Sequence, residues 1–263
     1  MQEQLIEKVM DEIKKRMEAQ APSAAAPEKP KFGGNLGITE FVGTAIGDSI
    51  GLVIANVDPA LHAKMKLDAK FRSIGILGAR TGAGPHIMAA DEAVKATNTE
   101  IVSIELARDT KGGAGHGCLI IFGAEEVSDA RRAIEVALKE LNRTFGDVYA
   151  NDAGHLEMQY TARASLAINK AFGAPAGKAF GLVVGAPAAI GVLMADTAIK
   201  TANVELVGYA SPACGTSFSN EVIIMITGDS GAVRQAVIAA REIGKKVLEA
   251  MAGPAPSVTT PYI

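Results

Sequence analysis

Apolar positions near the start of the chain recur with helical period: Leu5, Ile6, Val9, Met10, Ile13 and Met17, with Glu7, Lys8, Asp11, Glu12, Lys14, Lys15 and Arg16 between them. This spacing predicts an amphipathic helix. Residues 18–31, rich in Ala and Pro, predict an extended, flexible linker. A helix on such a tether has no core of its own, so its apolar stripe must dock on the globular body or on another protein.

From Ile38 the pattern changes to short apolar runs alternating with amphipathic segments. The runs 50–56 (IGLVIAN), 73–78 (SIGILG), 100–106 and 118–122 predict strands. Between them, Pro59 opens a short helix through Met65, and Pro85 starts a helix carrying Ile87, Met88, Ala90, Val94 and Ala96. Ser128 is expected to cap a helix over 129–141, whose Ala130, Ala133, Ile134, Ala137 and Leu138 form one face. Residues 146–154 read as a polar connector. Strands follow around 158–162, 179–184, 204–209 and 222–227, with helices over 165–172, from Pro187, and over 232–251. The Pro-bearing tail, 252–263, reads as disordered.

The same order of helix, strand, small-residue loop and strand occurs twice. Asp91, Lys95, Asn98 and Glu100 match Asp196, Lys200, Asn203 and Glu205, at a constant spacing of 105 residues. A duplicated domain follows: residues 34–150 and 151–252, preceded by the helix and linker (1–33) and followed by the tail (253–263). At 263 residues the chain is long enough for two such cores.

Composition narrows what those cores can be. Hydrophobic residues make up 48% of the chain but aromatics only 5%, with 28 Gly and no Trp. Small residues suit close helix-on-sheet packing better than a deep pocket lined by rings. A net charge of -3 gives no electrostatic reason to expect nucleic acid or an anionic membrane as partner. The most apolar run, 180–195, is too short to span a bilayer and contains Pro187; no signal peptide is visible after Met1. With only Cys118 and Cys214, and no CxxC spacing, a reducing compartment is expected and no disulfide framework.

Catalytic motifs are mostly missing. GAPAGKA (173–179) has one spacer too few for a phosphate-binding Walker loop and ends in Ala. Gly113, Gly115 and Gly117 lie between two strands instead of opening a helix, so the helix-dipole mechanism of a dinucleotide fingerprint is absent. His62, His86, His116 and His155 are scattered, without metal-ligand spacing. His116 and Cys118 could share a strand face as an imidazole and thiolate pair, but no oxyanion site or orienting partner accompanies them. Cys214, in the second loop, reads as a small neutral residue before it reads as a metal ligand; only in a chain that forms trimers could three copies of it meet on the axis and hold an iron-sulfur cluster.

The helix ending D-x-x-x-K-x-x-N (Asp196, Lys200, Asn203), VELVGY (204–209), the small-residue loop, VIIMITGD (222–229) and AVRQAV (232–237) resemble the BMC domain of bacterial microcompartment shells. Two copies, each preceded by a strand and short helix, resemble the tandem, circularly permuted, trimer-forming members of that family. TEIVSIELARDTKGGAGHG (99–117) and GARTGAGP (78–85) resemble shell proteins of propanediol- and ethanol-utilisation compartments.

The resemblance implies an α/β (α+β) fold of two tandem permuted BMC domains, each a mostly antiparallel sheet flanked by helices. It implies a homotrimer acting as a pseudohexameric tile in a microcompartment shell in the cytoplasm, with no enzymatic activity and no cofactor. Arg108, Asp109, Thr110, Lys111, Gly112, Gly113, Gly115 and His116 in one loop, and Ser211, Cys214, Gly215, Thr216, Ser217 and Ser219 in the other, become candidates to line an axial pore. Lys95, Asn98, Lys200 and Asn203 become candidates for contacts with neighbouring shell proteins edge to edge. Small diols or alcohols such as glycerol or propanediol are the implied permeants, and residues 1–17 the implied contact to encapsulated enzymes. Gly, Ser and Thr offer amides and hydroxyls to a small polar solute, with no large side chain to obstruct it. The two loops differ in charge, since Arg108, Asp109 and Lys111 have no counterpart in the second, so any ring they form is only pseudo-symmetric.

Overall fold

The computed structural model describes residues 31–32, 37–107, 117–216 and 218–263. The helix expected over residues 5–17 lies outside the described residues. The first half runs β1 (Lys31–Phe32), β2 (Phe41–Ala45), β3 (Ser49–Ile54), α1 (Pro59–Lys64), β4 (Ser73–Ala79), α2 (Ala83–Lys95), β5 (Glu100–Ala107), β6 (Gly117–Ala124) and α3 (Val127–Thr144). The second runs β7 (Val148–Asn151), β8 (Gly154–Thr161), α4 (Leu166–Phe172), β9 (Ala179–Ala186), α5 (Ala188–Thr201), β10 (Val204–Ala210), β11 (Val222–Gly228) and α6 (Ser230–Ala252).

The strands form two antiparallel sheets, ordered β1-β2-β3-β4-β6-β5 and β10-β11-β9-β8-β7. Apart from β1 the sheets correspond strand for strand. The repeat extends to an irregularity: β5 bulges between Ile101 and Ser103, and β10 between Leu206 and Gly208, at the matching positions. Both are edge strands, where a bulge disrupts the ladder that another chain could extend.

Glycine explains how the helices sit on the sheets. A Cβ on Gly75 of β4 would lie 2.9 Å from Ile134 Cγ1 and 3.0 Å from the Ala130 carbonyl on α3. On Gly181 of β9 it would lie 2.8 Å from Val237 Cγ2 on α6. In each half one helix therefore rests directly on the central strand, and small residues hold the layers close.

The two cores are not separate. Phe122, Leu77, Ile87, Met88, Ile134 and Leu138 of the first half pack in one cluster with Ala167, Ile168, Phe180, Leu182 and Val184 of the second. Val183 points the other way, into a cluster with Met158, Met194, Ile224, Ile226, Val233 and Val237. Strand β9 is thus apolar along its whole length because one face covers its own helices and the other covers the first repeat.

Four expectations are corrected. Ser128 is not the cap of α3: the helix starts at Val127 with Glu126 as N-cap and no side-chain capping bond. The polar connector 146–154 contains β7, hidden by its brevity and by Asn151 and Asp152 in the turn to β8. Lys31, read as linker, begins the two-residue strand β1 against β2. The tail is not disordered. Ser257 bridges to Tyr149, and the Val258 amide donates to the Val148 carbonyl (2.9 Å), covering the edge of β7. Buried Asp147 accepts from the Tyr262 and Ile263 amides (2.8 and 3.0 Å) and from Arg241 Nη1 (2.9 Å). Gly253, Pro254, Pro256 and Pro261 forbid a helix in the tail, but Ser257, Val258, Tyr262 and Ile263 anchor it.

Candidate functional site

Of the two loops singled out in the sequence, the first, 108–116, lies outside the described residues, and with it Arg108, Asp109, Thr110, Lys111, Gly112, Gly113, Gly115 and His116. So does Ser217 of the second. The rest of that loop is a pair of linked turns. The Ser211 amide donates to the Cys214 carbonyl (2.7 Å) and the Cys214 amide to the Ser211 carbonyl (2.9 Å). Gly215 follows at φ 93°, a conformation that favours glycine. The Thr216 hydroxyl donates to the Ser219 carbonyl (3.0 Å), and the Ser219 amide returns to the Thr216 carbonyl (3.0 Å). The Asn220 side chain accepts from the Ala188 amide (3.1 Å), tying the loop to the start of α5, where Pro187 offers no side-chain cap.

This geometry sorts the candidates. Cys214 and Gly215 are exposed, Ser211 and Ser219 are half-buried, and Thr216 is buried with its hydroxyl turned inward. Phe218 is the residue that sequence reasoning passed over: 78% exposed at φ 68°, it is the bulkiest group the loop presents to solvent. The search for small polar residues looked past it, and no spacing marks it.

The candidate edge residues fall in two places. Lys200 is exposed at the end of α5 and pairs with exposed Asp196 (2.7 Å). Lys95, its repeat partner, lies at the seam between the halves and pairs with Asp91 (2.8 Å) and Glu92 (2.9 Å). Asp91 is fully buried because α4 of the second half lies over it: its carboxylate accepts from the Ser165 amide (3.0 Å), the Ser165 hydroxyl and the Ile168 amide (3.3 Å). A side chain of the first repeat thus caps a helix of the second. Asn98 and Asn203 are exposed just beyond α2 and α5.

The seam also buries titratable groups. Glu157 on β8 packs against the first turn of α2, so closely that a Cβ on Gly84 would overlap its Oε1. Burial, with Glu221 nearby, pushes its carboxyl up to about 8. Glu221 in turn faces His155 Nε2 at 3.4 Å. Burial lowers His86 on α2 to about 4; its Nδ1 faces the Gly82 carbonyl, and its Nε2 lies 2.6 Å from the Ser49 hydroxyl, which donates to the Ile46 carbonyl (2.6 Å). Burial raises the Cys118 thiol to about 12, which removes the thiolate that pairing with His116 would require. Among the described residues of the single chain no three His, Cys, Asp or Glu side chains converge as metal ligands. No helix among them is long and apolar enough to cross a membrane.

Comparison with known proteins fits this two-domain arrangement. The BMC domain model matches residues 73–152 and 179–256. Over 211 residues the chain is 78% identical to the bacterial microcompartment shell protein PduB of Citrobacter freundii, covering 80% of this chain and 78% of that one. It is 68% identical over 252 residues to PduB of Salmonella typhimurium, covering 93% of each. The crystal structure of a trimeric bacterial microcompartment shell protein PduB superposes with a TM-score of 0.83 at 55% identity, covering 86% of this chain and 100% of that one.

Proposed function

The chain belongs to the BMC-domain family, and from this premise we infer that it is a structural, non-enzymatic shell protein of a bacterial microcompartment, working as a trimer. The observation that carries the reading is the seam: the two BMC domains of one chain are already joined edge to edge through α2, β5 and α4. A ring of six such domains then needs only three chains.

In such a ring the loops 108–116 and 211–220 face the axis and line a passage for small polar solutes, diols and alcohols such as glycerol or propanediol. The exposed Cys214 and Gly215 and the half-buried Ser211 and Ser219 support this role for the second loop, and Phe218 would set its bore. Lys200, Asn203, Lys95 and Asn98 contact neighbouring tiles. Residues 1–17 attach to encapsulated enzymes. No bound cofactor is required for any of these roles.

Light scattering behind size exclusion is expected to give three times the 27.1 kDa chain mass. A monomer at all concentrations would end the tile reading. Removing residues 1–31 is expected to leave the trimer intact and to reduce co-purification of shell with its enzymes; loss of the trimer instead would assign that segment a structural role. For the passage, Phe218→Ala is expected to raise solute flux through reconstituted shells, and unchanged flux would remove the loop from the permeation path.

A further inference from the structure

The seam inside the chain has a counterpart on its two outer flanks. Within the seam, Lys170 on α4 reaches across to the edge strand β5, and its Nζ donates to the Ile101 and Val102 carbonyls (3.0 and 2.6 Å), where the β5 bulge interrupts the ladder. On the flank of the second repeat, edge strand β10 carries the same bulge at Leu206 and Val207, beside an exposed apolar surface of Leu206 (51% exposed) and Ile199 (41%). On the opposite flank, α1 is the repeat counterpart of α4. It has no buried residue and presents Leu61, 45% exposed, together with Lys64. Lys64 stands nine residues before β4, as Lys170 stands nine before β9.

We infer that Lys64 of one copy docks on the Leu206 and Val207 carbonyls of the next, reproducing between copies the contact that Lys170 makes within one. The inference rests on the trimeric reading and names the contact that closes the ring. The occupant is a second copy of this chain because the two flanks carry the two halves of a contact that the chain already makes with itself. Such an interface is heterologous, head to tail, and closes when the rotation from one domain to the next is a sixth of a turn.

The copy is not perfect, and the difference throws more weight on Lys64. Inside the chain, Asp91 also caps α4 through the Ser165 amide. The counterpart of Ser165 is Pro59, which has no N–H, and the amides of Ala60 and Leu61 are already held by Asp58 (2.8 and 3.4 Å). Asp196, the counterpart of Asp91, therefore has no helix to cap and stays with Lys200 on the surface. The junction within a chain has a lysine and a carboxylate across it, and the junction between chains has the lysine alone.

Sedimentation velocity and native mass spectrometry over a concentration series test this on the full chain. Lys64→Ala is expected to raise the concentration at which the trimer half-dissociates by about tenfold or more, as loss of charge-assisted hydrogen bonds at each of the junctions implies. Lys64→Glu should leave monomer, Lys64→Arg should retain the trimer, and Lys66→Glu, an exposed neighbour, should behave as wild type. Unchanged melting of the Lys64→Ala monomer would show that its fold is intact, as expected for an exposed residue. A Lys64→Glu trimer with wild-type concentration dependence overturns the inference, as does an equal loss in Lys66→Glu. A monomeric wild-type protein overturns the tile reading itself, and so is distinguishable from failure of the contact.

Discussion

Asp91 and Asp196 hold the same place in the repeat and do different work. Each lies four residues before a lysine and pairs with it, at 2.8 and 2.7 Å. Asp196 does so in solvent, where an i,i+4 pair contributes a few tenths of a kcal/mol. Asp91 is buried, accepts two amides and a hydroxyl from α4, and ties the domains together. Replacing it by alanine leaves those donors without their acceptor and Lys95 with Glu92 alone, so Asp91→Ala is expected to cost about 2–4 kcal/mol in urea unfolding. Asp196→Ala should cost less than about 0.5 kcal/mol in the same assay. The D-x-x-x-K-x-x-N spacing marked both aspartates, but nothing local distinguishes them. What separates them is Ser165, brought from 74 positions away by the fold.

At the scale of elements, the glycines in the central strands decide how close the layers come. Gly181→Ala places a methyl within 3.0 Å of Val233, Val237 and Ile226 at once, so α6 must lift. About 1–3 kcal/mol of destabilisation is expected in thermal or urea unfolding, as for other overpacked cores; a neutral Gly181→Ala would mean that α6 slides without loss. Gly78→Ala serves as the control, since its added Cβ meets nothing nearer than 3.8 Å. The pattern of apolar runs was enough to place nearly every strand and helix, because β4, β9, α3 and α6 are long, periodic and buried on a definite face. It missed β1, β2, β7 and the ordered tail, the last two for a common reason. Both are short, and each is held by the other from far along the chain: Ser257 and Val258 pair with Tyr149 and Val148, and Asp147 accepts from the Tyr262 and Ile263 amides, which no local period encodes. The candidate site was legible as a loop position, from the repeat, but not as a surface: burial of Thr216 and exposure of Phe218 follow from turn geometry.

For the molecule as a whole, the seam between the domains makes stability depend on pH in a way that neither domain would alone. Glu157, on the second domain's sheet, meets α2 of the first at Gly84, with Glu221 and His155 beside it in its own domain and His86 two residues along α2. Its folded carboxyl titrates at about 8, above its ordinary value of 4.5, so the folded state holds more protons than the unfolded one between those pH values. The stabilisation is complete below 4.5 and is lost as pH rises to about 8. His86 acts in the opposite sense: folded it titrates at about 4, below its ordinary 6.5, so its contribution is complete above 6.5 and is lost as pH falls toward 4. Between 4.5 and 6.5 the two slopes oppose, whereas between 6.5 and 8 Glu157 acts without His86. There the wild-type protein is expected to lose stability with rising pH, by up to about 1.4 kcal/mol per unit for a single group. Glu157→Gln keeps a neutral side chain of the same shape and should flatten the curve in that window, while the acid slope from His86 steepens because nothing offsets it. Urea midpoints of both proteins at a fixed protein concentration, from pH 5 to 8.5, measure this. Parallel curves for the two proteins would mean that Glu157 is ionised at neutral pH and that the seam accommodates its charge.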